Sequence, residues 1–156
     1  MRRIKVQMLT EQAFQSFGQV IGTEGRPYGG EEGMYRWYEK LAAVEQADVV
    51  SVNLLTVIYR PYTCRKFEAH QRTTETILPL TGGLIVACMP AGDVDMESLA
   101  AFYVPVGMGV CWAKGAWHYA PYPLFRDETC AVIFRCDTGR DDAVFGEIPE
   151  DIGFDL

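Results

Sequence analysis

Histidine is scarce: the 156 residues include two, His70 and His118. Chemistry that needs a proton carrier near neutral pH must therefore use these two or a carboxylate with a raised pKa. Paired cysteines are also lacking. The five cysteines, Cys64, Cys88, Cys111, Cys130 and Cys136, are odd in number and form no Cys-x-x-Cys pair. This argues against a disulfide framework or structural zinc, and for reduced thiols packed as small apolar groups in a cytosolic protein. Positive charge is in deficit, with 14 Lys and Arg against 21 Asp and Glu and a formal charge of -7. A phosphate backbone or an anionic membrane surface would be repelled, so neither nucleic acid nor membrane is an expected partner. No apolar run approaches the length of a membrane span. After Met1-Arg2-Arg3, the alternation in Ile4-Lys5-Val6-Gln7 does not supply the apolar stretch of an export signal.

What remains is the composition of one ordinary globular domain over residues 1–156, 49% hydrophobic and 22% charged. Helical signals are few. Thr10 is a hydroxyl N-cap before Glu11-Gln12-Ala13-Phe14-Gln15-Ser16-Phe17, with Gly18 as the stop. A second helical turn is expected at Asp95 to Leu99, after the Pro90-Ala91-Gly92-Asp93 breaker. β-branched and aromatic runs predict strands at Ile4 to Met8, Val49 to Tyr59, Arg65 to His70, Thr76 to Leu80, Leu84 to Met89, Ala101 to Val104, Gly109 to Trp112 and Cys130 to Arg135. Many short strands between turn residues point to an antiparallel sandwich or barrel of the jelly-roll kind, mainly β with one or two short helices. The glycines between Gly22 and Gly33 predict a mobile loop, and the acidic, weakly patterned tail from Asp137 to Leu156 is expected to wrap the outside.

Chemistry concentrates around the two histidines. Reading Glu68-Ala69-His70 as a strand, period-two alternation puts Glu68 and His70 on one face, and Glu75 lies just past the following turn. Four residues separate His70 from Glu75 and six separate Glu75 from Gly82. This resembles the first motif of the cupin superfamily, with Glu68 in place of its first histidine. Gly107, Gly115 and His118 match the spacing of the second cupin motif, with Ala113 where proline is usual. The resemblance implies a cupin-like double-stranded β-helix, a jelly-roll barrel. Alone, a histidine between Trp117 and Tyr119 reads as a hydrogen-bonded packing residue; its joint placement with His70, Glu68 and Glu75 favours a site. Glu68, His70, Glu75 and His118 together suit a divalent ion such as Ni, Mn, Fe or Zn. Without an ion, His118, His70 and Glu75 would serve as catalytic acid and base. Arg72 and Lys114, near the two motifs, are candidates to bind a substrate carboxylate, and Tyr119 is a further candidate substrate contact.

Across most of its length the chain resembles the bacterial ureidoglycolate lyase family. The resemblance runs through Leu9 to Phe14, Phe17 to Ile21, Tyr38 to Ala42, Val50 to Asn53, Glu68-Ala69-His70, Leu78 to Gly82, Ser98 to Phe102 and Gly109 to His118. The family usually has histidine, glutamine, proline and arginine where this chain has Tyr119, Glu75, Gln71 and Leu54. The resemblance implies release of urea from ureidoglycolate to leave glyoxylate, in purine (allantoin) degradation, by a homodimer. Two alternatives stand beside it: a metal-binding cupin with a different small-molecule activity, for which Glu75 speaks, and a non-catalytic cupin that binds a small ligand, for which Tyr119 speaks.

Overall fold

A computed structural model describes residues 1–30, 33–34, 36–45 and 48–156. Strands β1 (Arg2–Met8), β2 (Gly18–Ile21), β3 (Val50–Val57), β4 (Thr63–Ala69), β5 (Glu75–Pro79) and β6 (Leu84–Met89) form the first half. Then come β7 (Ala100–Val104), β8 (Gly109–Trp112), β9 (Trp117–His118), β10 (Tyr122–Pro123), β11 (Glu128–Arg135) and β12 (Val144–Asp155). Helix α1 spans Glu11–Phe14, α2 spans Thr138–Asp141, and Met96–Ser98 forms one 3₁₀ turn. One sheet runs β10-β6-β7-β1-β12-β4-β9, and a further β6–β9 pairing closes it on itself. The other runs β2-β8-β5-β11-β3. Together they make the cupin-like jelly-roll barrel.

The continuous apolar run Leu84-Ile85-Val86-Ala87-Cys88-Met89 is buried throughout because β6 feeds two cores. Leu84, Val86 and Cys88 point into a core with Phe14, Phe102, Val110 and Trp112. Ile85, Ala87 and Met89 point the other way, against Phe67, Ile148, Ile152 and Phe154. Alternation along one strand thus serves both cores.

Three expectations are corrected. The first helix ends at Phe14 rather than reaching Gly18, although Thr10 does cap it, accepting from the Ala13 N–H at 3.1 Å. Gly18 opens β2 instead: a Cβ there would stand 2.0 Å from the Cys111 carbonyl oxygen, so only glycine allows β2 to lie against β8. The tail does not wrap the outside. β12 is an interior strand between β1 and β4, with Ile148, Ile152 and Phe154 buried. Nor is the barrel wholly antiparallel, because β1 pairs in parallel with both β12 and β7. In the segment expected to be a loop, residues 22–30 hold no strand or helix beyond a bridge from Gly29 to Trp37, while Glu31 and Glu32 lie outside the described residues. No helix among the described residues is long and apolar enough to cross a membrane.

Candidate active site

Three elements converge at one end of the first core. β4 carries Glu68 and leads directly into His70. β9 carries His118, in register with Glu68 so that both side chains leave the sheet on one face. β5 begins with Glu75, which returns from the turn to face both imidazoles. The two motifs are tied through the backbone as well, since the Gly115 N–H donates to the His70 carbonyl at 2.7 Å. Gly115 has φ 79, a left-handed turn that favours glycine.

Each ring is oriented by a backbone carbonyl. His70 Nδ1 lies 2.8 Å from the Asp142 oxygen and His118 Nδ1 lies 3.0 Å from the Ala116 oxygen. A carbonyl only accepts, so both Nδ1 atoms carry hydrogen and both Nε2 atoms are turned toward Glu75. Trp112 stacks on His118 with centroids 4.3 Å apart and planes at 7°, and Phe134 lies along His70 at 6.3 Å. The two imidazole centroids are 5.2 Å apart.

Glu75 Oε2 stands 3.0 Å from His70 Nε2 and 3.4 Å from His118 Nε2. The first contact is a hydrogen bond. The second is not made as a hydrogen bond, and the buried His118 Nε2 has no hydrogen-bond partner among the described residues. Burial would raise the Glu75 carboxyl, but the facing His118 and His70 rings outweigh it and hold the group down at about 2. For His70, burial acts downward, yet Glu75 and the Asp142 carbonyl outweigh it and leave the imidazole raised. In the metal-free cluster the Glu75 carboxylate therefore favours the protonated form of His70.

The same geometry fits a metal ion. Glu68, His70 and His118 each offer one ligand atom, all within 4.8 Å of one another. Rings whose Nδ1 donates to a carbonyl while Nε2 points inward are oriented as metal ligands are, and the unpartnered His118 Nε2 is a buried donor atom suited to such an ion. Glu75, expected as a fourth ligand, is instead engaged with the imidazoles.

Glu68, His70, Glu75 and Tyr119 line one cavity of about 540 Å³, together with Asn53, Lys66, Phe134 and Phe145. His118 is buried and is not among its lining residues, its Nε2 meeting Glu75, which does line it, at 3.4 Å; Arg72 and Lys114 do not line it either. Arg72 is exposed and bonds the Asp141 carboxylate at 2.9 Å, and Lys114 is exposed in the turn before Gly115. Two contributors escape the sequence reading. Asp142 caps the turn after His70, accepting from the Gln71 and Arg72 N–H groups at 2.9 Å each, and nothing in its acidic surroundings signals this. Lys66 was legible, because it shares the alternation that joins Glu68 and His70.

The profile of the ureidoglycolate lyase family matches residues 1–148. The chain belongs to that family. Among curated members of the family, it is 32% identical over 148 residues to the ureidoglycolate lyase of Pseudomonas paraeruginosa, covering 90% of this chain and 88% of the relative. It is 30% identical over 157 residues to that of Azotobacter vinelandii, covering 94% and 95%. Among solved structures, a mutant of Bacillus subtilis oxalate decarboxylase superposes with a TM-score of 0.45 at 16% identity. That match covers 80% of this chain but 30% of the decarboxylase, so the chain spans under a third of that protein.

Proposed function

We propose that this protein is a ureidoglycolate lyase, releasing urea from ureidoglycolate to leave glyoxylate in purine degradation. The observation that carries the proposal is the buried Glu75 oxygen between two imidazoles of fixed orientation, in a family member whose cavity also offers neutral polar groups at Asn53 and Tyr119. The reacting carbon bears a hydroxyl and a urea nitrogen. Its collapse moves the hydroxyl proton off oxygen, forms the C=O bond, breaks the C–N bond and delivers a proton to the leaving nitrogen. His118 Nε2, with no hydrogen bond to give up, is the base for the hydroxyl. His70 Nε2, protonated against Glu75, is the acid for the nitrogen. Glu75 Oε2 touches both rings and returns the proton from His118 to His70.

Glu68, His70 and His118 would hold a divalent ion of the Ni, Mn, Fe or Zn class. Such an ion would supply Lewis acidity to the substrate's oxygens. With both imidazoles spent as ligands, Glu75 is the remaining proton carrier. Metal analysis of protein purified without chelator separates the two arrangements: one ion per chain and chelator-sensitive turnover select the ligand role, and full turnover without metal selects the acid–base pair. We place the protein in the cytosol, as its unpaired thiols suggest, and propose that it forms a homodimer. Val52 and Leu54 of edge strand β3, 72% and 73% exposed, support pairing at this edge. Light scattering giving a monomer mass at micromolar concentration removes the dimer. The activity itself is tested by incubating the wild-type protein with racemic ureidoglycolate: urea and glyoxylate released in equal amounts support it, and release no faster than in buffer refutes it.

A further inference from the structure

We infer that Lys66 receives the substrate's carboxylate and makes the site selective for an anionic 2-hydroxy acid; this rests on the lyase reading and names its anchor. A small substrate of this kind carries its carboxylate on the reacting carbon, so the cavity needs a fixed cation close to the imidazoles. Among the described residues lining the cavity, Lys66 is the one lysine or arginine. Its neighbours are committed elsewhere. Arg60 bonds the backbone carbonyls of Ile58, Ala120 and Pro121 and lies over the Tyr122 ring, and Arg72 pairs with Asp141.

Lys66 is not held by a carboxylate: no ion pair within 4.0 Å joins it to a described residue. Its ammonium instead sits 4.4 Å from the Phe145 ring centroid and 5.7 Å from that of Tyr119. These two rings locate it. Phe145 lies opposite Glu68 in the β12–β4 register, while Lys66 lies opposite Glu147, so the side chain leans along the strand toward the reacting centre. Tyr119 follows His118 directly. Lys66, Glu68 and His70 share one face of their segment, at about 6.7 Å per step of two residues, and all three line the cavity. An ammonium resting on aromatic faces is poised but not neutralised, and an entering carboxylate offers it the stronger partner.

Two variants and two kinds of ligand test this. Lys66→Met is expected to raise KM for ureidoglycolate about ten- to a hundredfold, the range for losing one charged hydrogen bond, with kcat and the melting temperature little changed. Lys66→Arg should restore most of the loss. Binding of glycolate and its neutral analogue glycolamide, followed by the imidazole signals of the two histidines in NMR, provides a measure independent of turnover. Wild type should prefer glycolate, and Lys66→Met should hold the two alike. If wild type does not turn over ureidoglycolate yet shows this Lys66-dependent preference, the lyase reading fails and the anchor stands. Equal binding of the two probes by wild type, binding of neither, or an unchanged preference in Lys66→Met overturns the inference.

Discussion

Replacing Asp142 by alanine should weaken the fold and the site together. The Asp142 carboxylate accepts two backbone N–H groups, from Gln71 and Arg72, at 2.9 Å each, and its carbonyl fixes His70 Nδ1 at 2.8 Å. A hydrogen bond to a charged group contributes about 1.5–3 kcal/mol. Both amides are part-buried, so water recovers some of the loss in the variant. A net cost of roughly 2–4 kcal/mol follows, which for a domain of this size lowers Tm by roughly 5–15 °C. Asp142→Asn keeps the shape and one acceptor and should cost about half as much. Thermal and urea unfolding of the three proteins give the ordering directly. Turnover should fall through kcat more than through KM, because the His70 ring is disturbed and the cavity wall is not. An alanine variant melting within about 2 °C of wild type would refute the capping role of the Asp142 carboxylate.

The Glu75–His70 pair should shape the pH dependence of stability. Glu75 is held below its ordinary value at about 2, so its contribution is present above the ordinary carboxylate range and lost as pH falls toward 2. His70 is raised, so its contribution is present below about 6.5 and lost as pH rises through its folded value. Unfolding free energy measured from pH 3 to 9 should therefore decline on both sides of a plateau, and Glu75→Gln should flatten both limbs; unchanged limbs would contradict the pairing. Phe154→Ala in the buried part of β12 should cost about 3–5 kcal/mol in chemical denaturation. A cost below about 1 kcal/mol would mean the tail is not part of the core.

Alternation and turn residues made most of the barrel legible, as in the buried run of β6 and the face that Glu68 of β4 shares with His70 just beyond it. The tail was not, for a definite reason. The register irregularity between Glu147 and Ile152 spans Pro149-Glu150-Asp151, so the buried Ile148 and Ile152, though in phase, are separated by a proline and two acids and no continuous strand pattern shows. β9 and β10 are two residues each, too short for any periodic signal. At the site, the spacing of the two motifs gathered Glu68, His70, Glu75 and His118, because strand geometry fixes what such spacing can bring together. Asp142 and the Ala116 carbonyl were hidden because a backbone acceptor has no side-chain signature and Asp142 lies 72 residues from His70. Arg72 was assigned to the substrate from proximity in sequence; in the fold, the Asp141 carboxylate holds it outside the cavity.

The most direct measurement is turnover of ureidoglycolate by His118→Asn beside wild type. Asparagine keeps part of the ring's volume and one polar end, while removing the Nε2 that stands in the cluster without a hydrogen bond. Loss of a positioned acid or base should reduce kcat by about a hundred- to ten thousandfold in a variant that still unfolds cooperatively. Folded His118→Asn that retains more than about a tenth of wild-type turnover, a barrier change of only about 1.4 kcal/mol, would mean that His118 is a packing residue beneath Trp112 and that the chemistry lies elsewhere.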